Sequence, residues 1–225
     1  YVEVTVASYV ISDSASMDAW YAGIAEVVKG GEALYVVVAA DFTYEGDGFA
    51  VWPSSTGGGV QTGTFDGRGH VITGIKTGYT MFSTIQGTIK NIAFVDAVFN
   101  GNGKSYGALA RWIDNGRLEN VYISGTGTVS DIVAGGSTHQ NNKPVIENCI
   151  FNVTLAGDGA MFYNSGSGEE TQTTFTNVYV ISSTKTSIKK GGDDTGIFEK
   201  ANIDFLTAVS TNFGNTMFTV EGFGL

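Results

Sequence analysis

The first twelve residues, YVEVTVASYVIS, alternate apolar and polar positions and predict a strand, either an edge strand or the end of a preceding domain. The period then changes. Met17, Trp20, Ile24, Val27 and Val28 share one face of a helix over 16–29. Asp13, Ser14 or Ser16 can cap its start, and Gly30-Gly31 stops it. From Ala33 onward the pattern is of strands and turns only, opening with the strongly apolar ALYVVVAADF (33–42).

A repeat dominates the chain from there. TIKNIAF (88–94), RLENVYI (117–123), VIENCIF (145–151) and TFTNVYV (174–180) align without gaps, and Asn91, Asn120, Asn148 and Asn177 recur at intervals of 29, 28 and 29 residues. VITGIKT (71–77) fits the same frame with Gly74 at the asparagine position. Two residues before the corner stand Ile72, Ile89, Leu118, Ile146 and Phe175, and just after it Ile75, Ile92, Val121, Cys149 and Val178. Further on come Phe94, Ile123, Phe151 and Val180, with Thr77 as the polar exception. Asn and Gly tolerate left-handed φ best, so each marks a sharp corner between strands, and stacked Asn side chains can hydrogen-bond along the stack. A second apolar register lies upstream, at Met81-Phe82, Ala108-Leu109, Ile132-Val133 and Met161-Phe162, and the segment from it to the corner lengthens along the chain.

These features predict an all-β, right-handed single-stranded parallel β-helix of five to six coils of about 28 residues, with an N-terminal capping α-helix. The expected division is a leading strand at 1–12, the capping helix at 13–31, the β-helix at 32–198 and a C-terminal cap at 199–225. Composition agrees: 32 glycines in 225 residues, two prolines and only 15% charged residues suit an all-β chain with many tight corners. The glycines have no period of three, which excludes collagen.

A net charge of −10 argues against nucleic acid, whose binders carry basic patches. The densest basic stretch, Lys185 to Lys190, is followed at once by Asp193 and Asp194. There is no apolar run of about 18 residues, so no membrane insertion is expected. The chain starts at Tyr1 with no signal-peptide pattern, as a processed protein or a fragment of a longer one would. Cys149 is alone, so no internal disulfide can form.

GTFDGRGHVITGI (63–75), YTMFSTIQGTIKNIAF (79–94) and YGALARWIDNGRLENVYI (106–123) together resemble the GLUG-type repeat proteins. The likeness spans roughly residues 17 to 183, and Met81-Phe82 and Ala108-Leu109 depart from the family's Leu-Phe pattern. The resemblance implies a β-helix of the kind found in secreted and surface-anchored bacterial proteins, adhesins among them, and in phage fibres.

Candidate chemistry is sparse. FDGRGH (65–70) offers Asp66, Arg68 and His70 as an acid–base group, or else a structural turn with Phe65 and Val71 inward and the bend at Asp66-Gly67. Glycosidases need two carboxylates a short distance apart. Asp96, Asp114, Asp131 and Asp158 do not share a repeat position, and only Asp131 and Asp158 come close to one column. Asp41, Glu45 and Asp47 cluster, as do Asp193 and Asp194 near Glu199, but neither group has calcium-loop spacing. No cofactor is expected, with Ca²⁺ at Asp193 and Asp194 as the alternative.

Two polar loops, GGSTHQNNK (135–143) and NSGSGEETQT (164–173), follow equivalent strands. His139, Gln140, Asn141, Asn142 and Asn164, with Tyr106, Trp112 and Tyr163 nearby in register, could meet a sugar or a protein; otherwise Trp112 and Tyr163 fill core edges. The expectation is a non-enzymatic structural or adhesive module of a larger extracellular bacterial surface protein or phage virion protein, binding glycan or protein on a cell surface or within a virion. Other domains of the parent chain and a homotrimer are further expected partners. The alternative is a carbohydrate-active β-helix, a tailspike-like polysaccharide lyase or glycosidase.

Overall fold

A computed structural model of the chain describes residues 7–27, 33–49, 60–78, 80–100, 109–127, 134–135, 143–155, 162–163, 173–181, 189–190 and 197–199. It opens with β1 (Tyr9–Ile11), α1 (Ser14–Val27), β2 (Tyr35–Val38), β3 (Phe42–Thr43), β4 (Val60–Gln61), β5 (Thr64–Thr73) and β6 (Lys76–Thr77). Then come β7 (Phe82–Ile85), β8 (Thr88–Phe99), β9 (Ala110–Ile113), β10 (Arg117–Gly127) and β11 (Ala134–Gly135). The series ends with β12 (Val145–Leu155), β13 (Phe162–Tyr163), β14 (Thr174–Ile181), β15 (Lys189–Lys190) and β16 (Ile197–Glu199).

Two parallel sheets result. The larger runs β1-β2-β5-β8-β10-β12-β14-β16, with β3 on β5 and β6 on β8; the smaller runs β4-β7-β9-β11-β13-β15. From β7 to β16 the chain switches sheet at every strand, which makes a parallel β-solenoid of about four turns. The sequence pattern predicts five to six coils. The long strands β5, β8, β10 and β12 account for four, and shorter strands carry the ladder on at both ends. Thr64, Thr88, Arg117, Val145 and Thr174 stand in one column, giving coils of 24, 29, 28 and 29 residues.

The asparagine corners form as their spacing predicts. Asn91, Asn120 and Asn148 have φ of 56°, 53° and 52°, inside the left-handed region that Asn tolerates. Asn177 falls in the same column, between the pairs Glu147–Thr176 and Cys149–Val178.

Gly74 does not belong to that column. Thr73 pairs with Val95 and the Gly74 N–H donates to the Val95 carbonyl, so Gly74 lies beside Asp96 at a second corner, with φ of 77° and 51° respectively. The first coil turns instead at Gly67–Gly69. Asp66 pairs with Lys90 and His70 with Ile92, so three residues oppose the single Asn91, with Arg68 at φ 52° and Gly69 at φ 87°. The bend of FDGRGH is thus at Arg68-Gly69. Gly67 is required there by close approach, because a Cβ would lie 2.3 Å from the Asn91 carbonyl oxygen.

Core columns stack between these corners. Val36, Phe65, Ile89, Leu118, Ile146 and Phe175 are in register, each at most 7% exposed. Ile72, Phe94, Ile123 and Phe151 form a second column, so Ile72 removes the polar exception assigned to Thr77. Burying each such side chain is worth about 1.5–3 kcal/mol. In the smaller sheet Phe82, Ala110, Ala134 and Phe162 share a column, one residue further along than expected in the two middle coils. Close backbone contact at the corner entering the larger sheet explains Gly63, Gly87 and Gly116, where a Cβ would meet carbonyl oxygens at 2.0, 1.9 and 2.4 Å.

Helix α1 closes one end. Asp13 is its cap: the Ser16 N–H donates to Asp13 Oδ1 (2.8 Å), and the Asp13 N–H donates back to Ser16 Oγ (3.1 Å), a capping box. Met17, Trp20 and Ile24 are at most 1% exposed. The Trp20 ring meets Phe65 of the larger sheet edge-on at 5.2 Å and Phe82 of the smaller at 5.8 Å, so one residue plugs the core between both sheets. Tyr44, itself 3% exposed, donates from Oη to Asp18 Oδ1 (2.5 Å) and ties the helix to the segment after β3.

Candidate binding surface

Several polar side chains of the larger sheet are committed to the scaffold. Asn120 Nδ2 donates to Asn91 Oδ1 (3.0 Å), and Asn91 Nδ2 donates to Asp66 Oδ1 (3.1 Å). Asp66 also accepts the Arg68 N–H (2.9 Å) and lies 3.5 Å from Lys90 Nζ. The carboxylate therefore heads the asparagine ladder and shapes its own turn. One column over, Arg117 pairs with Glu147 and, at 3.4 Å, with Glu119. These bonds and the field of Glu147 raise the Arg117 guanidinium against the opposing effect of burial.

His70 is tied down as well. Its Nδ1 lies 2.8 Å from Asp41 Oδ1, and the Val71 N–H donates to the same oxygen (2.9 Å). Burial pushes the Asp41 carboxyl up, yet the Val71 N–H and the His70 ring hold it below its ordinary value. These bonds clamp one coil to the next. Asp41, Glu45 and Asp47 make no metal-holding group; among the described residues no cluster of three metal-ligating side chains occurs. Cys149 is fully buried, its thiol donates to the Glu147 carbonyl, and burial pushes its pKa up to about 12.

The smaller sheet is different. Thr84, Trp112, Gly135, Tyr163 and Lys190 stand in one column over five coils, with a one-residue register shift between Ala134 and Gly135. Ala110 and Ile113, the core positions of β9, are 0% and 2% exposed, whereas Trp112 is half-buried. The Lys143 N–H donates to Asn115 Oδ1 (2.8 Å), which pins the end of the first polar loop to the turn after β9.

Of the other positions singled out from sequence, Tyr106, His139, Gln140, Asn141, Asn142 and Asn164 lie outside the described residues, as do Asp131, Asp158, Asp193 and Asp194. Asp96 occupies a corner of the larger sheet and Asp114 follows a strand of the smaller one, so the fold places them on different sheets.

Stacked parallel coils, in-register corners and a helical plug define the chain as a parallel β-solenoid. No family model, curated protein or solved structure matches it.

Proposed function

We propose that this chain is a non-enzymatic, adhesive β-solenoid module of an extracellular bacterial surface protein or phage virion protein, and that it binds glycan through the side of the smaller sheet. The observation that carries this reading is the engagement of particular charged groups on and beside the larger sheet. Asp66 heads the asparagine ladder, Glu119 and Glu147 share Arg117, and Asp41 holds His70. Groups engaged in this way stabilise coil stacking and are poor candidates for acid–base work. The likeness to GLUG-type repeats and the polar loops beside β11 and β13 support the same reading.

The test is a panel of bacterial and plant polysaccharides, scored both for retention of the protein and for release of reducing ends or unsaturated sugars. Retention without turnover is expected. Turnover that disappears in Asp131→Asn or Asp158→Asn would replace this reading with that of a polysaccharide-cleaving β-helix.

A further inference from the structure

The larger sheet buries a row of apolar side chains on the face turned away from the core. In β8, β10 and β12 the pairs Ile92 and Phe94, Val121 and Ile123, and Cys149 and Phe151 all belong to the core. Successive strand residues point to opposite faces, so Ala93, Tyr122 and Ile150, which stand between them, project outward. These three are in register across adjacent coils. They are nevertheless 0%, 4% and 2% exposed. Val98, further along β8, shows what an uncovered outward position looks like: it stands between the core residues Ala97 and Phe99 and is 46% exposed. Neighbouring rungs alone therefore do not bury an outward side chain on this sheet.

No described element supplies the cover. Helix α1 lies at the N-terminal end, with Trp20 against Phe65 and Phe82, and the smaller sheet faces the other side of the core. The burial is that of a single chain, so the cover belongs to this chain and not to a partner. The stretches 101–108, 128–133 and 156–161 are short, and each has to carry the chain across to the smaller sheet. Residues 200–225 follow the last described strand and supply Phe205, Leu206, Phe213, Phe218 and Phe223. They also start in the right place. Tyr179 pairs with Ile150 and Phe198 with Tyr179, so the chain leaves β16 at the end of the same column. From Phe198 back to Ala93 is about 19 Å, at about 4.8 Å per rung. The 26 residues of the segment span about 39 Å as a helix and about 85 Å extended, so they reach in either form.

We infer that residues 200–225 fold back along the outside of the larger sheet and cover the row Ala93, Tyr122 and Ile150. The segment expected to close the C-terminal end of the solenoid is instead a strap along its side. It adds a third layer outside the larger sheet and ties the last coil to those before it.

Chemical modification of the full chain tests it. Tetranitromethane nitrates accessible tyrosine rings, and digestion with mass spectrometry locates the nitrated ones. A thiol reagent reports in parallel on Cys149, which is buried on the core side of the same sheet. Neither Tyr122 nor Cys149 should react in the native protein. Of Phe205→Ser, Leu206→Ser, Phe213→Ser and Phe218→Ser, at least one should speed nitration of Tyr122 by about tenfold or more while Cys149 stays protected. Cys149 becoming reactive in step with Tyr122 marks general unfolding, and if every variant behaves so the strap is overturned. A photo-crosslinker, p-benzoylphenylalanine, placed at position 122 gives an independent reading that needs no destabilising variant. Irradiation should join it to a peptide from 200–225 of the same chain. Ready nitration of Tyr122 in the native protein overturns the strap, and so do crosslinks to another stretch of the chain or to a second copy.

Discussion

Asn120 is held by two constraints that different substitutions separate. Its φ of 53° lies in the left-handed region, and its amide donates to Asn91. Alanine loses the hydrogen bond and strains the backbone, at about 2 kcal/mol or more. Glycine loses the hydrogen bond but relaxes the backbone, at about 1 kcal/mol. Urea denaturation of Asn120→Ala and Asn120→Gly should therefore rank alanine as the worse replacement; the reverse order would mean that the corner is not strained. Cys149 gives a prediction in pH. Its folded thiol, at about 12, keeps its proton well above the ordinary value of 9.0. Its contribution to stability is fully present below the unfolded value and is lost as pH rises between the two. The urea midpoint should fall above pH 9 in the native protein and fall less steeply in Cys149→Ala, with Tyr44, also pushed up to about 12, supplying the remaining slope. Thiol reagents should leave Cys149 unmodified until the chain unfolds.

At the scale of elements, the helical cap is legible in the sequence and the first coil is not. The apolar face of Met17, Trp20 and Ile24 points into the core, and Asp13, one of three possible caps, is the one used. Trp20→Ala should cost about 3–5 kcal/mol by opening the plugged end. Trp20→Phe should cost far less, since it keeps the ring and removes a buried Nε1 that has no partner among the described residues. Thermal melting of the two variants checks this, and equal losses would show that α1 is not a plug. The first coil is hidden because VITGIKT carries a glycine in an apolar frame that fits its neighbours. The warning sign is distance: Gly74 to Asn91 is 17 residues, too few for a coil. The true match needs three residues at 67–69 against one at Asn91, and an ungapped comparison cannot supply them. The Trp112 column is only partly visible in sequence, because its alignment depends on a register shift at Ala134–Gly135 and on loop lengths that differ between coils.

On the scale of the whole molecule, the solenoid is held by hydrogen bonds that run along its axis, one rung to the next. The sequential order β1, α1, β2 gives that arrangement a mechanical consequence. β1 pairs with β2 across only three residues, Tyr9 to Ile11, and the helix lies between them in the chain. Tension on the N-terminal side loads the three-residue β1 ladder first and the helix next, and it reaches the long strands only after both have come away. Each coil then peels by unzipping, not by shear, since force along the axis opens its bonds one after another. Single-molecule pulling from both termini should show an initial release that includes α1, followed by regular low-force steps. A coil of about 28 residues corresponds to a length gain of about 95 Å per step. A single high-force rupture in place of the staircase would contradict this. A chain that surrenders length in small steps acts as a shock absorber: it yields to a brief pull at the loss of one turn at a time.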